Sequence, residues 1–107
     1  MTLLAELDRE RRAERERLRF RVREKLQSAL RELLPTQLVY VFGSITEEGR
    51  FHARSDVDLA ILELPDGTSE FGLQAALEDR LGCPVDLCIA WDHRLKEKMQ
   101  GGEKWTV

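Results

Sequence analysis

Five residues in this sequence have the types and the spacing to do chemistry together: Gly43, Ser44, Asp56, Asp58 and Asp86. Gly43-Ser44 ends one apolar run, Asp56-Val57-Asp58 opens a second, and Asp86 stands second in a third, VDLCIA. Residues two apart in a strand point to the same face, so Asp56 and Asp58 project together. Two carboxylates ~6–7 Å apart along a strand repel each other, and a divalent cation between them removes that cost. Carboxylate oxygens suit Mg²⁺ or Mn²⁺. A glycine lets backbone approach a phosphate closely, and Ser44 adds an N–H and a hydroxyl beside it. A phosphate cradle facing paired carboxylates describes a metal–nucleotide site, and such a site supports phosphoryl or nucleotidyl transfer.

The elements that must position these residues can be read from the same sequence. Residues 2–34 contain no Gly or Pro and are dominated by Arg, Glu, Leu and Ala, which predicts one long helix stopped by Pro35. Leu18, Val22, Leu26, Leu30 and Leu33 recur at three- and four-residue steps and form a packing stripe. Residues 8–17 contain one apolar side chain, Ala13, so this stretch is expected to lie in solvent or meet a partner. The run LVYVF at 38–42, ended by Gly43, reads as a buried strand, and 56–62 and 85–90 read as two more. Between them, Pro65-Asp66-Gly67 makes a turn. Thr68 or Ser69 caps a helix carrying Phe71, Leu73, Ala76, Leu77 and Leu81, which Gly82 stops. A last helix is expected at 92–100 and an edge strand at 105–107. For Asp86 to reach the rim that holds Asp56 and Asp58, the second and third strands must run parallel with the helix as a right-handed crossover. The first and second are then antiparallel. The fold class is α/β (α+β), a small mixed sheet of three to four strands flanked by helices, with a long N-terminal helix.

Composition narrows the partners. At 107 residues the chain accommodates one compact body, here divided into an assembly helix at 1–34 and a domain at 35–107. Residues 1–34 carry ten basic and seven acidic side chains, a net of +3, whereas 35–107 carry seven basic and thirteen acidic, a net of -6. An acidic body of this kind argues against direct nucleic-acid binding. No apolar run approaches the ~20 residues of a membrane span, and no signal-peptide core follows Met1. Cys83 and Cys88 have no partners at zinc spacing and read as small hydrophobes in a reducing, cytoplasmic setting. His52 and His93 have no ligand-spaced neighbours and read as surface residues. Trp91 reads as core or interface, with stacking on a base as the sharper alternative.

Gly43-Ser44, then Asp56-Val57-Asp58-Leu59, then Val85-Asp86-Leu87, in this order on these elements, resembles the nucleotidyltransferase pattern of the polymerase beta superfamily. It is most similar to the minimal nucleotidyltransferase (MNT) antitoxins, small chains paired with a HEPN toxin. The resemblance covers residues 36–107 and extends to the ending, LKEKMQGGEKWTV. It implies a nucleotidyltransferase fold in which Gly43 and Ser44 hold the triphosphate of ATP. Asp56, Asp58 and Asp86 would bind Mg²⁺, and Asp86 would also help activate the attacking hydroxyl. Where related chains often carry a basic residue shortly after the GS pair, this one has Ile45-Thr46-Glu47-Glu48-Gly49, so Arg50 or Arg54 is expected to supply the positive charge.

The implied activity is protein adenylyltransfer (AMPylation): AMP moves from ATP to a tyrosine hydroxyl of a HEPN ribonuclease, within a hetero-oligomer of a toxin–antitoxin system. Two rivals are a non-catalytic protein that masks the partner by contact and a small-molecule nucleotidyltransferase. The second rival lacks a further domain to build a substrate pocket.

Overall fold

The computed structural model describes residues 2–89 and 101–106. Helix α1 runs Leu3–Leu33, with the Thr2 hydroxyl accepting from the Ala5 N–H as its N-cap. The Leu34 N–H donates to the Leu30 carbonyl at its end, just ahead of Pro35. Strand β1 (Leu38–Phe42), a 3₁₀ turn (Ser44–Thr46), β2 (Val57–Ile61), helix α2 (Glu70–Leu81), β3 (Val85–Ile89) and β4 (Glu103–Thr106) follow. Ser69 caps α2 by accepting from the Gly72 N–H, and Gly82 closes it in the left-handed region, as the sequence predicts.

The four strands lie in the order β3-β2-β1-β4. β1 and β2 are antiparallel, β2 and β3 are parallel with α2 as the crossover, and β4 adds to β1 antiparallel. The mixed sheet is the expected one. Three details differ. The last strand begins at Glu103, two residues before its expected start, because its backbone pairs with β1 from Val41 onward. Asp56 precedes β2 instead of opening it. Phe71, expected on the packing side of α2, is 84% exposed, because Leu73, Leu77 and Leu81 point the opposite way into the core. The expected helix at 92–100, with Trp91 and His93, lies outside the described residues.

Strand alternation divides the sheet into two unlike faces. Val39, Val41, Val57, Leu59, Ile61, Val85 and Leu87 share one cluster with Val22, Leu26, Ala29 and Leu30 of α1 and with Leu73, Leu77 and Leu81 of α2. Both helices therefore cover the same face. The intervening residues Tyr40, Phe42, Ala60 and Cys88 form a separate cluster on the other face.

α1 is ~46 Å long at 1.5 Å per residue. The molecule measures 56 × 28 × 21 Å, with a radius of gyration of 15.3 Å, against about 13 Å for a compact chain of this size. The excess is the N-terminal half of the helix, whose tip residues Leu3 and Leu4 are 72% and 74% exposed. The charged stretch behind that tip is not all free in solvent, however. Glu16 bonds to the loop between β1 and β2, contrary to the expectation for residues 8–17 that rested on the lack of apolar side chains, and Arg19, just beyond that stretch, bonds to the same loop.

Candidate active site

The alternation that buries Val57 and Leu59 against the helices turns Asp58 to the opposite face. Asp58 pairs with Phe42 across the antiparallel ladder and with Asp86 across the parallel one. Phe42, Asp58 and Asp86 thus form a row across three strands, with neighbouring backbones ~4.8 Å apart. Asp58 is half-buried and Asp86 exposed. Asp56, also exposed, lies two residues ahead of Asp58, where the Val57 N–H donates to the Pro84 carbonyl and starts the parallel ladder.

Gly43 follows Phe42 directly and adopts φ 81, ψ -158, a region open essentially to glycine alone. A Cβ placed there would lie 2.2 Å from Asp58 Oδ2. The absence of a side chain at 43 is what lets this backbone and the Asp58 carboxylate share the space. The turn that follows is tied down by the Gly43 carbonyl, which accepts from both the Thr46 N–H (3.1 Å) and the Thr46 hydroxyl (2.7 Å). Ile45 beneath it is fully buried, and so is Phe51 later in the loop.

The structure therefore brings Gly43, Asp58 and Asp86 together, with Ser44 next to Gly43 and Asp56 on the approach to β2. Arg50 pairs with Glu47 at 2.5 Å, so one of the two glutamates that depart from the family pattern engages the expected substitute cation. Arg54 is exposed on a turn in which its N–H donates to His52 Nδ1. His52 is itself exposed, as expected, and both cysteines are free thiols. Burial pushes the Cys83 thiol up, which disfavours its thiolate.

The donor set fits Mg²⁺ or Mn²⁺. Two hard carboxylates in register on adjacent strands repel each other without a cation, and the Asp58 carboxylate lies in the space that the missing Cβ of Gly43 leaves. Among the described residues no group of three or more His, Cys, Asp and Glu side chains is gathered closely enough to hold a metal. The arrangement is a cross-strand pair and not a closed cage. That is the pattern of Mg²⁺ sites that take one or two carboxylates and complete their shell with substrate phosphates.

Sequence reasoning missed the loop anchors Ile45 and Phe51 and the polar contacts from α1. An isolated Phe in a polar loop, FHARSD, was the available signal for Phe51.

Residues 24–101 match the family model described as Polymerase beta, Nucleotidyltransferase. Solved structures agree. A chain from a toxin–antitoxin crystal structure with AMP-PNP is 30% identical, with a TM-score of 0.62, over 78% of this chain and 73% of that one. A chain from the MntA-HepT toxin–antitoxin structure is 26% identical, with a TM-score of 0.57, over 80% and 71%. A chain from the complex of a tri-AMPylated Shewanella oneidensis HEPN toxin with an MNT antitoxin is 25% identical, with a TM-score of 0.57, over 83% and 73%. No protein of curated function matches significantly. The family match spans most of the chain and includes every residue of the Gly43–Asp58–Asp86 constellation, so the chain belongs to the polymerase beta nucleotidyltransferase family and, within it, to the minimal nucleotidyltransferase (MNT) antitoxins.

Proposed function

We propose that this chain transfers AMP from ATP to a tyrosine hydroxyl of a HEPN-type ribonuclease and so silences that partner in the cytoplasm. The observation that carries the reading is the in-register pair Asp58 and Asp86 beside Gly43, whose missing Cβ leaves room for the Asp58 carboxylate. Two relatives add support: one similar chain comes from a toxin–antitoxin complex holding AMP-PNP, and another from a complex whose HEPN toxin is tri-AMPylated.

In this reading Asp58 and Asp86 would hold Mg²⁺ or Mn²⁺ as a cross-strand pair, with Asp56 nearby on the approach to β2, and the cation would supply neutralisation of charge on the phosphates. Gly43 and Ser44 receive the triphosphate along the backbone edge, and Arg54, with Arg50 once it leaves Glu47, would supply positive charge from the loop. Asp86, itself exposed on the outer strand β3, accepts the proton of the incoming hydroxyl. The oxygen then bonds to the α-phosphorus, the bond from that phosphorus to the α–β bridging oxygen breaks, and pyrophosphate leaves with the electron pair. The acceptor remains as its AMP ester.

The division of labour within the chain follows the same reading: residues 35–107 carry the transfer, and the apolar tip of 1–34 serves assembly. Leu3, Leu4 and Leu7 are exposed at the far end of α1, where a partner helix can cover them. Among the described residues no helix is long and apolar enough to cross a membrane.

Incubation with the HEPN partner, Mg²⁺ and ATP labelled on the α-phosphate tests the proposal. Label on a partner tyrosine, absent with Asp58→Asn, is the expected result. An Asp58→Asn chain that neutralises the ribonuclease as well as the unaltered one would establish masking by contact instead.

A further inference from the structure

A ring of polar contacts joins the charged middle of α1 to the loop that follows β1. Arg12, Glu16, Arg19 and Arg23 are spaced by four, three and four residues and so share one face of the helix. The same line continues through the buried Leu26 and Leu30, so it is the polar extension of the packing seam. Arg19 Nε donates to the Ile45 carbonyl at 2.8 Å, and Arg23 Nη1 donates to the same oxygen at 3.3 Å. Four residues on, the Gly49 N–H donates to Glu16 Oε2 at 3.2 Å. An Arg19–Glu16 ion pair at 3.3 Å closes the ring between the two loop contacts. Gly49 lies so near the helix that a Cβ there would stand 3.1 Å from Arg12 Nε.

The contacts are placed where they matter for the site. Ile45 is one residue after Ser44, its side chain is in the core, and its carbonyl carries two guanidinium donors. A three-residue 3₁₀ turn has little stability of its own, and hydrogen bonds to charged partners are about twice as strong as neutral ones. The Arg19 and Glu16 side chains are 21% and 30% exposed, so solvent does not fully screen them. The family match begins at residue 24, so all four helix residues lie ahead of it.

We propose that Glu16 and Arg19, with Arg23, are positioning residues: through them α1 splints loop 43–49 and holds the Gly43-Ser44 turn ready to receive a triphosphate. The proposal rests on the nucleotidyltransferase reading for its ligand and on the ring of contacts for its mechanism. A turn held in place before binding spares the nucleotide the entropy of ordering it. Arg23 is a poor probe, because it also forks onto both Glu103 carboxylate oxygens and stacks on Trp105. Arg19 is the better one.

The full chain, unaltered and as Arg19→Ala and Arg19→Lys, is titrated with Mg²⁺ and AMP-PNP, and amide exchange is measured in parallel. Arg19→Ala should weaken AMP-PNP binding about 10-fold, the lower end of what losing an outer-shell partner does. Exchange at Thr46, Glu47 and Gly49 should quicken while Leu59 in β2 stays protected, and Arg19→Lys, which keeps the charge toward Glu16, should recover part of both effects. Unchanged affinity and unchanged loop exchange in Arg19→Ala would overturn the splint. Exchange rising equally in the loop and in β2 would overturn it too, since that is general destabilisation. If the unaltered chain does not bind AMP-PNP, the nucleotidyltransferase reading itself fails, an outcome distinct from binding that Arg19→Ala leaves intact.

Discussion

The two faces of the sheet are built from the same strands and do opposite work. On the face that α1 and α2 cover, Val57, Leu59 and Ile61 are at most 2% exposed and lie within one large cluster. On the other face the residues between them set Asp58 beside Phe42 and Asp86, with the Gly43 backbone at the edge. A period of two separates stability from chemistry with a single peptide bond between the residues concerned. A substitution should therefore report which face it touches: loss of melting temperature from one, loss of nucleotide handling from the other.

The largest expected effect comes from the covered face. Leu59→Ala removes a fully buried side chain, and such truncations cost ~2–5 kcal/mol, a large share of the ~5–15 kcal/mol that holds a domain together. Thermal unfolding should show a drop of many degrees. Asp58→Asn, next to it in the chain, keeps the side chain's shape on the other face and opens no cavity, so its melting temperature should change far less. An equal loss in both would break the separation.

Next is the edge where the faces meet. Gly43→Ala must place a Cβ in a glycine-only region and against Asp58 Oδ2, so the carboxylate has to turn away. The backbone strain costs ~1–3 kcal/mol, and binding of Mg²⁺ with AMP-PNP should fall by more than that stability loss explains. Calorimetry beside thermal unfolding separates the two.

A smaller effect tests how β4 is fastened to the covered side. Arg23 donates to both Glu103 oxygens at 2.7 and 2.8 Å, and this hydrogen bonding holds the Glu103 carboxyl below its ordinary value against the opposing effect of burial. A depressed carboxylate contributes stability above its unfolded pKa and loses it as pH falls through the folded one. Glu103→Gln should thus be less stable than the unaltered chain at neutral pH, and the gap should close below pH 4.5, the ordinary value. Glu103 is partly exposed, so the gap is modest. A gap that stayed constant on acidification would show that the ion pair contributes nothing.

The smallest effect lies outside both faces. Thr36 follows Pro35 in the turn closed by the Gln37 N–H on the Leu34 carbonyl, and it holds φ 64. A type II turn wants glycine at that place. Relief of the ~1–2 kcal/mol left-handed penalty, less the ~0.4–1 kcal/mol entropic cost of glycine, should leave Thr36→Gly more stable by a few tenths of a kcal/mol. Denaturant unfolding would register it, and a decrease would mean that Thr36 makes contacts worth more than its strain.

The elements that were legible in the sequence carry periodic apolar signals. LVYVF ended by Gly43, the Leu73–Leu77–Leu81 stripe between Ser69 and Gly82, and the short VDLCI strand each state their own limits. The parallel pairing of β2 and β3 was the condition for Asp86 to share a rim with Asp56 and Asp58, and the structure meets it with Asp86 in register with Asp58. Phe71 was misplaced because the Leu stripe and Phe71 lie on different sides of α2. The contacts of Glu16 and Arg19 were hidden for another reason. Their four-three-four spacing is present, but nearly every neighbour is also charged, so no contrast marks the contacting face. The pairing of Arg50 with Glu47 depends on loop geometry that no spacing rule conveys.

The central claim is that the row Asp58–Asp86 beside Gly43 is a cation-dependent nucleotide site. Calorimetric titration of AMP-PNP into the unaltered chain and into Asp58→Asn, each in Mg²⁺ and in EDTA, tests it directly. Binding should be present in the unaltered chain with Mg²⁺, lost in EDTA, and lost in Asp58→Asn with its melting temperature little changed. Equal AMP-PNP affinity with and without the cation, or in Asp58→Asn, would contradict it.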